Sequence, residues 1–128
     1  MQRFSWTWQG RPVQAAYEVL GTGMPVLLLP AFSTVSSREE MRPLASRLAA
    51  SGFSCTLLDW PGFGASTSGR LGYGPALYER FLADFCAAAM PAIASAIAAV
   101  PAFNIVRIAP SSRDRGLVVM SVRRNAER

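Results

Sequence analysis

The sequence predicts an α/β fold, with an amino-terminal β-hairpin leading into a mostly parallel sheet flanked by helices. Three observations carry that expectation. Two short apolar runs, Val26-Leu27-Leu28-Leu29 and Phe53 to Leu58, have the composition of strands buried on both faces, as parallel strands are. Between them Met41, Leu44, Ala45, Leu48 and Ala49 recur at helical spacing. Ahead of them Phe4-Ser5-Trp6-Thr7-Trp8 alternates apolar and polar residues, the mark of a half-buried strand.

The hairpin comes first. Gly10-Arg11-Pro12 punctuates the alternating run and Val13 to Leu20 supplies a second extended stretch, so the two are expected to pair at a sheet edge. Gly21-Thr22-Gly23 ends that stretch, and Pro30, with no N–H to give a ladder, closes the run Val26 to Leu29. Ser36 and Ser37 each stand three residues before an acid, Glu39 and Glu40, forming two overlapping capping boxes ahead of the first helix. Gly52 supplies its carboxyl-terminal stop. With Phe53 to Leu58 behind it, the span 26–59 reads as one βαβ unit with a right-handed crossover. Pro75 fits the first turn of a second helix, whose stripe of Leu77, Tyr78, Phe81, Leu82 and Phe85 should face the core, leaving Glu79, Arg80 and Asp84 outside. Pro91 should kink or end it.

Beyond that helix the pattern loosens. Residues 85–106 carry no charged side chain, which raises a membrane-anchored alternative, but Pro91 and Pro101 interrupt the run and a buried helix is the expectation. Ile105 to Ile108 and Leu117 to Met120 read as two further strands, and their short connection makes them antiparallel if they are neighbours. The strand Val26 to Leu29 needs a partner on its second edge, and Asn104 to Ile108 is the expected one. A single domain is therefore expected over 1–128, with 104–122 completing the sheet and 123–128 a basic tail.

Charge and thiol content narrow the function classes. Net charge is +5, all from arginine, and from Arg107 onward six arginines face only Asp114 and Glu127. No aromatic residue is interleaved there for stacking on bases, so the segment reads as a solvated basic terminus rather than a nucleic-acid site. Hydrophobic residues make up 51% of the chain, which excludes a disordered polypeptide. Cys55 and Cys86 lie in apolar runs with no C-x-x-C pair, so they read as buried free thiols. Met1 to Gly10 lacks a signal-peptide core, so the cytoplasm or another reducing compartment is the expectation. Two cysteines and no histidine offer no metal site, and Gly62-Phe63-Gly64 lacks the third glycine of a dinucleotide loop, so no cofactor is expected.

The motif with the most chemistry is Asp59-Trp60-Pro61-Gly62-Phe63-Gly64-Ala65-Ser66, directly behind the strand that ends at Leu58. In order along the chain, Leu28-Leu29-Pro30-Ala31-Phe32-Ser33, the capped helix, this motif and the stretch Tyr78 to Phe85 resemble the amino-terminal half of an α/β hydrolase. The phrasing is most similar to plant and cyanobacterial hydrolase-like proteins, over roughly residues 4–90. The resemblance implies a partial α/β-hydrolase fold and an ester- or acyl-hydrolase-type ancestry. It implies an oxyanion-hole donor at the backbone N–H of Phe32, where the family's His-Gly is replaced by Pro30-Ala31. Packing beneath the sheet's edge is the alternative for Phe32. Asp59 occupies a slot that is not usually the triad acid, and capping the following loop is favoured over acid/base work, with Gly62 and Gly64 shaping that loop.

Against the family pattern, no histidine occurs in 128 residues and no G-x-S-x-G elbow is present. The segment after Val100 resembles the family's sixth strand, as if the elbow had been skipped. Ser111 and Ser112 are the nucleophile candidates if any exist, yet no base is available to activate them. A truncated, catalytically silent hydrolase-fold protein is thus the leading expectation. The alternatives are a binding module that associates with a partner or a second copy through an open sheet edge, and, less favoured, a protein anchored by 85–106.

Overall fold

The structure is a computed structural model that describes residues 1–30, 37–91, 107–108 and 117–120. Strands β1 (Gln2–Trp8), β2 (Arg11–Leu20), β3 (Met24–Leu29), β4 (Phe53–Leu58), β5 (Arg107–Ile108) and β6 (Leu117–Met120) form one sheet in the order β1-β2-β4-β3-β6-β5. Helices α1 (Arg42–Ala50) and α2 (Pro75–Ala89) complete the described elements, with a short 3₁₀ turn, Arg38–Met41, leading into α1.

β1 and β2 form the expected hairpin, but its turn is the two-residue Gln9-Gly10 rather than Gly10 to Pro12. Both residues have positive φ, +48° and +79°, the geometry whose twist suits neighbouring antiparallel strands. Arg11 and Pro12 therefore join β2, where Pro12 faces Thr7. Proline is tolerated there because residues on this side of β2 point their backbone groups away from β1. β3, α1 and β4 make the βαβ unit, with Val26 beside Cys55 and Leu28 beside Leu57 in parallel register. Of the two capping serines, Ser37 is described and its hydroxyl accepts from the Glu39 N–H at 3.2 Å.

The second neighbour of β3 differs from expectation. β6, not Asn104 to Ile108, lies parallel to β3, with Leu27 beside Val118 and Leu29 beside Met120. A central position in an α/β sheet favours residues apolar on both faces. Leu117-Val118-Val119-Met120 meets that demand, whereas Arg107 interrupts the other run. β5 pairs antiparallel with β6 and is the outermost strand on that side.

Two cores result, one on each face of the sheet. On one, Met41 and Ala45 cover Val26, Leu28, Cys55 and Leu57. On the other, the α2 stripe Leu77, Tyr78, Phe81, Leu82, Phe85 and Cys86 packs on Trp6, Val13, Ala15, Leu27, Leu29, Leu58 and Trp60. Phe81 is the hub of this aromatic core, with ring centroids 5.1 Å from Trp6, 6.0 Å from Phe4 and 6.2 Å from Trp60. Pro91 stands just after the helix, which closes at the Met90 cap. Cys55 and Cys86 are buried and unpaired, and burial pushes the Cys86 thiol up to about 12, so it is protonated and inert. Among the described residues no helix is long and apolar enough to cross a membrane, and the proposed anchor 85–106 lies largely outside them.

Phe81→Ala should cost about 3–5 kcal/mol, because the cavity would open where α2 meets β1 and Trp60. Urea unfolding of the two proteins measures it, and a loss under about 1 kcal/mol would mean that α2 does not seal this face.

Candidate functional site

The loops that leave β3 and β4 at their carboxyl ends are where an open α/β sheet builds its sites. One residue organises them here. Asp59 is fully buried, and its carboxylate is held by three backbone or side-chain donors. Oδ1 accepts from the Arg38 backbone N–H, and Oδ2 accepts from the Arg38 guanidinium and, at 3.0 Å, from the Ala65 N–H. A buried carboxylate without such partners would be strongly disfavoured, and these supply both charge and hydrogen bonds.

Arg38 in turn reaches back to β2. Its Nε donates to Glu18 Oε2 at 2.5 Å, and Arg42 from the first turn of α1 joins the same oxygen at 2.5 Å. Burial opposes the Arg38 charge, but the hydrogen bonds to Glu18 and Asp59 outweigh it and hold the guanidinium pKa above its ordinary value. Hydrogen bonds from Arg42 and then Arg38 hold the Glu18 carboxyl below its ordinary 4.5. Strand β2, the entry to α1 and the end of β4 are thereby tied through one line of alternating charge.

The loop 59–67 also extends the sheet. Asp59 N donates to Ala16 O at 3.0 Å and Thr67 N to Gln14 O at 2.9 Å, so the loop continues beside β2 where β4 stops. Ser66 closes it: the hydroxyl donates to Asp59 O at 2.7 Å and accepts from Ala16 N at 2.9 Å. Gly64 has φ +52°, and a Cβ on it would overlap the Asp59 carboxylate, so glycine is required twice over. At Gly62, φ +92°, a Cβ would come within 2.7 Å of Tyr73 Cε1. Trp60, wholly buried, donates its indole N–H to Pro30 O at 2.9 Å.

Asp59-Trp60 thus grips both stems of the loop between β3 and α1, Pro30 through the indole and Arg38 through the carboxylate. Phe32 belongs to 31–36, outside the described residues. Ser111 and Ser112 also lie outside them, between Ile108 and Leu117. Arg38, Glu18 and Trp60 were not singled out in the sequence. The signals were present: an acid in a strand that is otherwise largely apolar, and an arginine directly behind a capping serine. Among the described residues no cluster of three metal-ligating side chains occurs.

The fold of this sheet and its flanking helices recurs in solved structures. An α/β hydrolase from Sphaerobacter thermophilus is 29% identical over 68% of this chain and 32% of its own, with a TM-score of 0.54. A thermophilic esterase from Thermogutta terrifontis is 26% identical over 69% of this chain and 32% of its own, with a TM-score of 0.58. This chain is a relative of the α/β hydrolases. A bromoperoxidase from Bacillus anthracis, 23% identical over 68% of the chain with a TM-score of 0.59, shares the fold. This chain spans about a third of the length of these structures. No protein-family model and no curated protein matches it.

Two outcomes follow from the site. Gly64→Ala should destabilise by about 2–4 kcal/mol, through positive-φ strain and the clash with Asp59. Gly10→Ala should cost only about 1 kcal/mol, since it has φ +79° but open space around its Cα. Equal losses in urea titrations would mean that Asp59 does not fill that space. The second outcome concerns pH. With the Glu18 carboxyl depressed in the folded state, its contribution is complete above the ordinary 4.5 and disappears as pH falls through the lower folded value. Melting temperature should therefore drop below that point in the parent protein and drop less steeply in Glu18→Gln.

Proposed function

We propose that this chain builds the amino-terminal sheet and loop scaffold of an ester- or acyl-hydrolase-type α/β-hydrolase fold and performs no triad catalysis of its own. The absence of histidine from all 128 residues carries the reading. In this fold the nucleophile needs an imidazole base, and arginine, the chain's only basic side chain, stays protonated.

The state of the remaining groups supports the same conclusion. Both Asp59 oxygens already accept hydrogen bonds, three in all, which leaves the carboxylate engaged as a structural anchor rather than poised as a base. Burial pushes the Tyr78 phenol up to about 12, and its hydroxyl donates to Pro61 O at 3.1 Å. Both described thiols are held protonated by burial.

The test is hydrolysis of p-nitrophenyl acetate and butyrate by the purified chain at neutral pH. The rate should equal that of buffer. Turnover above buffer that disappears in Ser111→Ala or Ser112→Ala would overturn the reading.

A further inference from the structure

The indole Nε1 of Trp8 is shut off from solvent, and among the described residues it is the one buried side-chain polar atom without a hydrogen-bond partner. The other two tryptophans are served: Trp6 donates to Asp84 Oδ2 at 2.8 Å and Trp60 to Pro30 O at 2.9 Å. A buried N–H left unpaired raises the free energy of the arrangement that buries it, and contact with water relieves that cost.

The segment 68–74, between Thr67 and α2, runs beside this indole edge. A Cβ built on Gly72 would have Gln9 Oε1 at 3.7 Å and Trp8 Nε1 at 3.9 Å as its nearest neighbours. Both ends of the segment are fastened, since Thr67 N donates to Gln14 O at 2.9 Å and Gly74 O accepts from Tyr78 N at 3.3 Å. Between them, residues 68–73 make no backbone–backbone hydrogen bond with any described residue. The Tyr73 hydroxyl bonds to the Gly69 backbone, a tie within the segment itself. Its hold on the rest of the molecule comes from two side chains. Leu71, 5% exposed, sits in the core under α2, and Tyr73 stacks on Tyr78 with ring centroids 6.4 Å apart while remaining 44% exposed. Sparse backbone bonding and few buried anchors are the marks of a segment that opens at less cost than global unfolding.

We propose that residues 68–74 form a strap that lifts off the Trp8 indole while the sheet and α2 stay folded. Withdrawal of Leu71 and Tyr73 from their contacts opposes the opening, and hydration of the Trp8 N–H favours it. Gly69 and Gly74 stand on either side of the two anchors and supply the hinges. Opening uncovers a hydrogen-bond donor beside the stacked Trp6–Trp8 pair, whose ring centroids are 5.7 Å apart, and the closed form hides it.

Exchange of the indole N–H protons for deuterium, followed by NMR in low concentrations of urea, tests the proposal, with the three signals assigned through Trp6→Phe and Trp8→Phe. Trp60, wholly buried and hydrogen-bonded, is the internal reference for global unfolding. In the parent chain Trp8 should exchange at least about tenfold faster than Trp60, and its rate should not rise with urea, because a local opening exposes little surface. Leu71→Ala, shown to be folded by circular dichroism, should speed Trp8 exchange by about tenfold or more. Gly72→Ala and Gly72→Ser carry the same backbone strain, but the serine hydroxyl comes within reach of both Trp8 Nε1 and Gln9 Oε1. Trp8 should therefore exchange about fivefold more slowly in Gly72→Ser than in Gly72→Ala. Trp8 and Trp60 exchanging together, with the same dependence on urea, would mean that the strap opens only when the whole chain unfolds and would overturn the proposal. A Trp8 rate indifferent to Leu71→Ala, or equal in the two Gly72 variants, would overturn it as well.

Discussion

The buried carboxylate of Asp59 is the constraint around which the carboxyl-terminal end of this sheet is arranged. A charge removed from water must be matched by donors and by opposite charge, and it recruits both from Arg38. Arg38 cannot be left half-satisfied either, which brings in Glu18 and then Arg42. Three elements distant in sequence, β2, the entry to α1 and the end of β4, are fixed by the electrostatic needs of one side chain. Partial satisfaction would be worse than none, so the network is expected to form or fail as a unit.

The Asp-x-x-Gly-x-Gly-x-Ser phrase has a physical reading in this light. Asp59 accepts the Ala65 N–H, Gly64 leaves the space its carboxylate occupies, and Ser66 bridges Asp59 O to Ala16 N. Each residue answers a demand set by another. Trp60, at the first unspecified position of the phrase, adds a hydrogen bond to Pro30 and fills the aromatic core under α2. Loop geometry and core packing are thus joined in adjacent residues.

Much of the fold was legible in the sequence because hydrophobic period reports burial directly. The hairpin, the βαβ unit and the α2 stripe all follow from spacing alone. The partner of β3 was not legible, since two short apolar runs competed for that place and only pairing in three dimensions distinguishes them. The hairpin turn was misplaced because proline in β2 reads as a breaker until one knows that its missing N–H points away from β1. At the site, Asp59, Gly62 and Gly64 stood out through the motif. Arg38 and Glu18 did not, because an ion pair across twenty residues leaves no periodic trace.

Asp59 and Arg38 act as one interaction rather than as two charges satisfied independently of each other. A double-mutant cycle over Asp59→Ala and Arg38→Ala, with stability read from urea unfolding, isolates their coupling. A coupling of about 2–3 kcal/mol is expected for a desolvated, hydrogen-bonded pair. Additive losses, with coupling near zero, would contradict the idea that this clasp holds the loops in place.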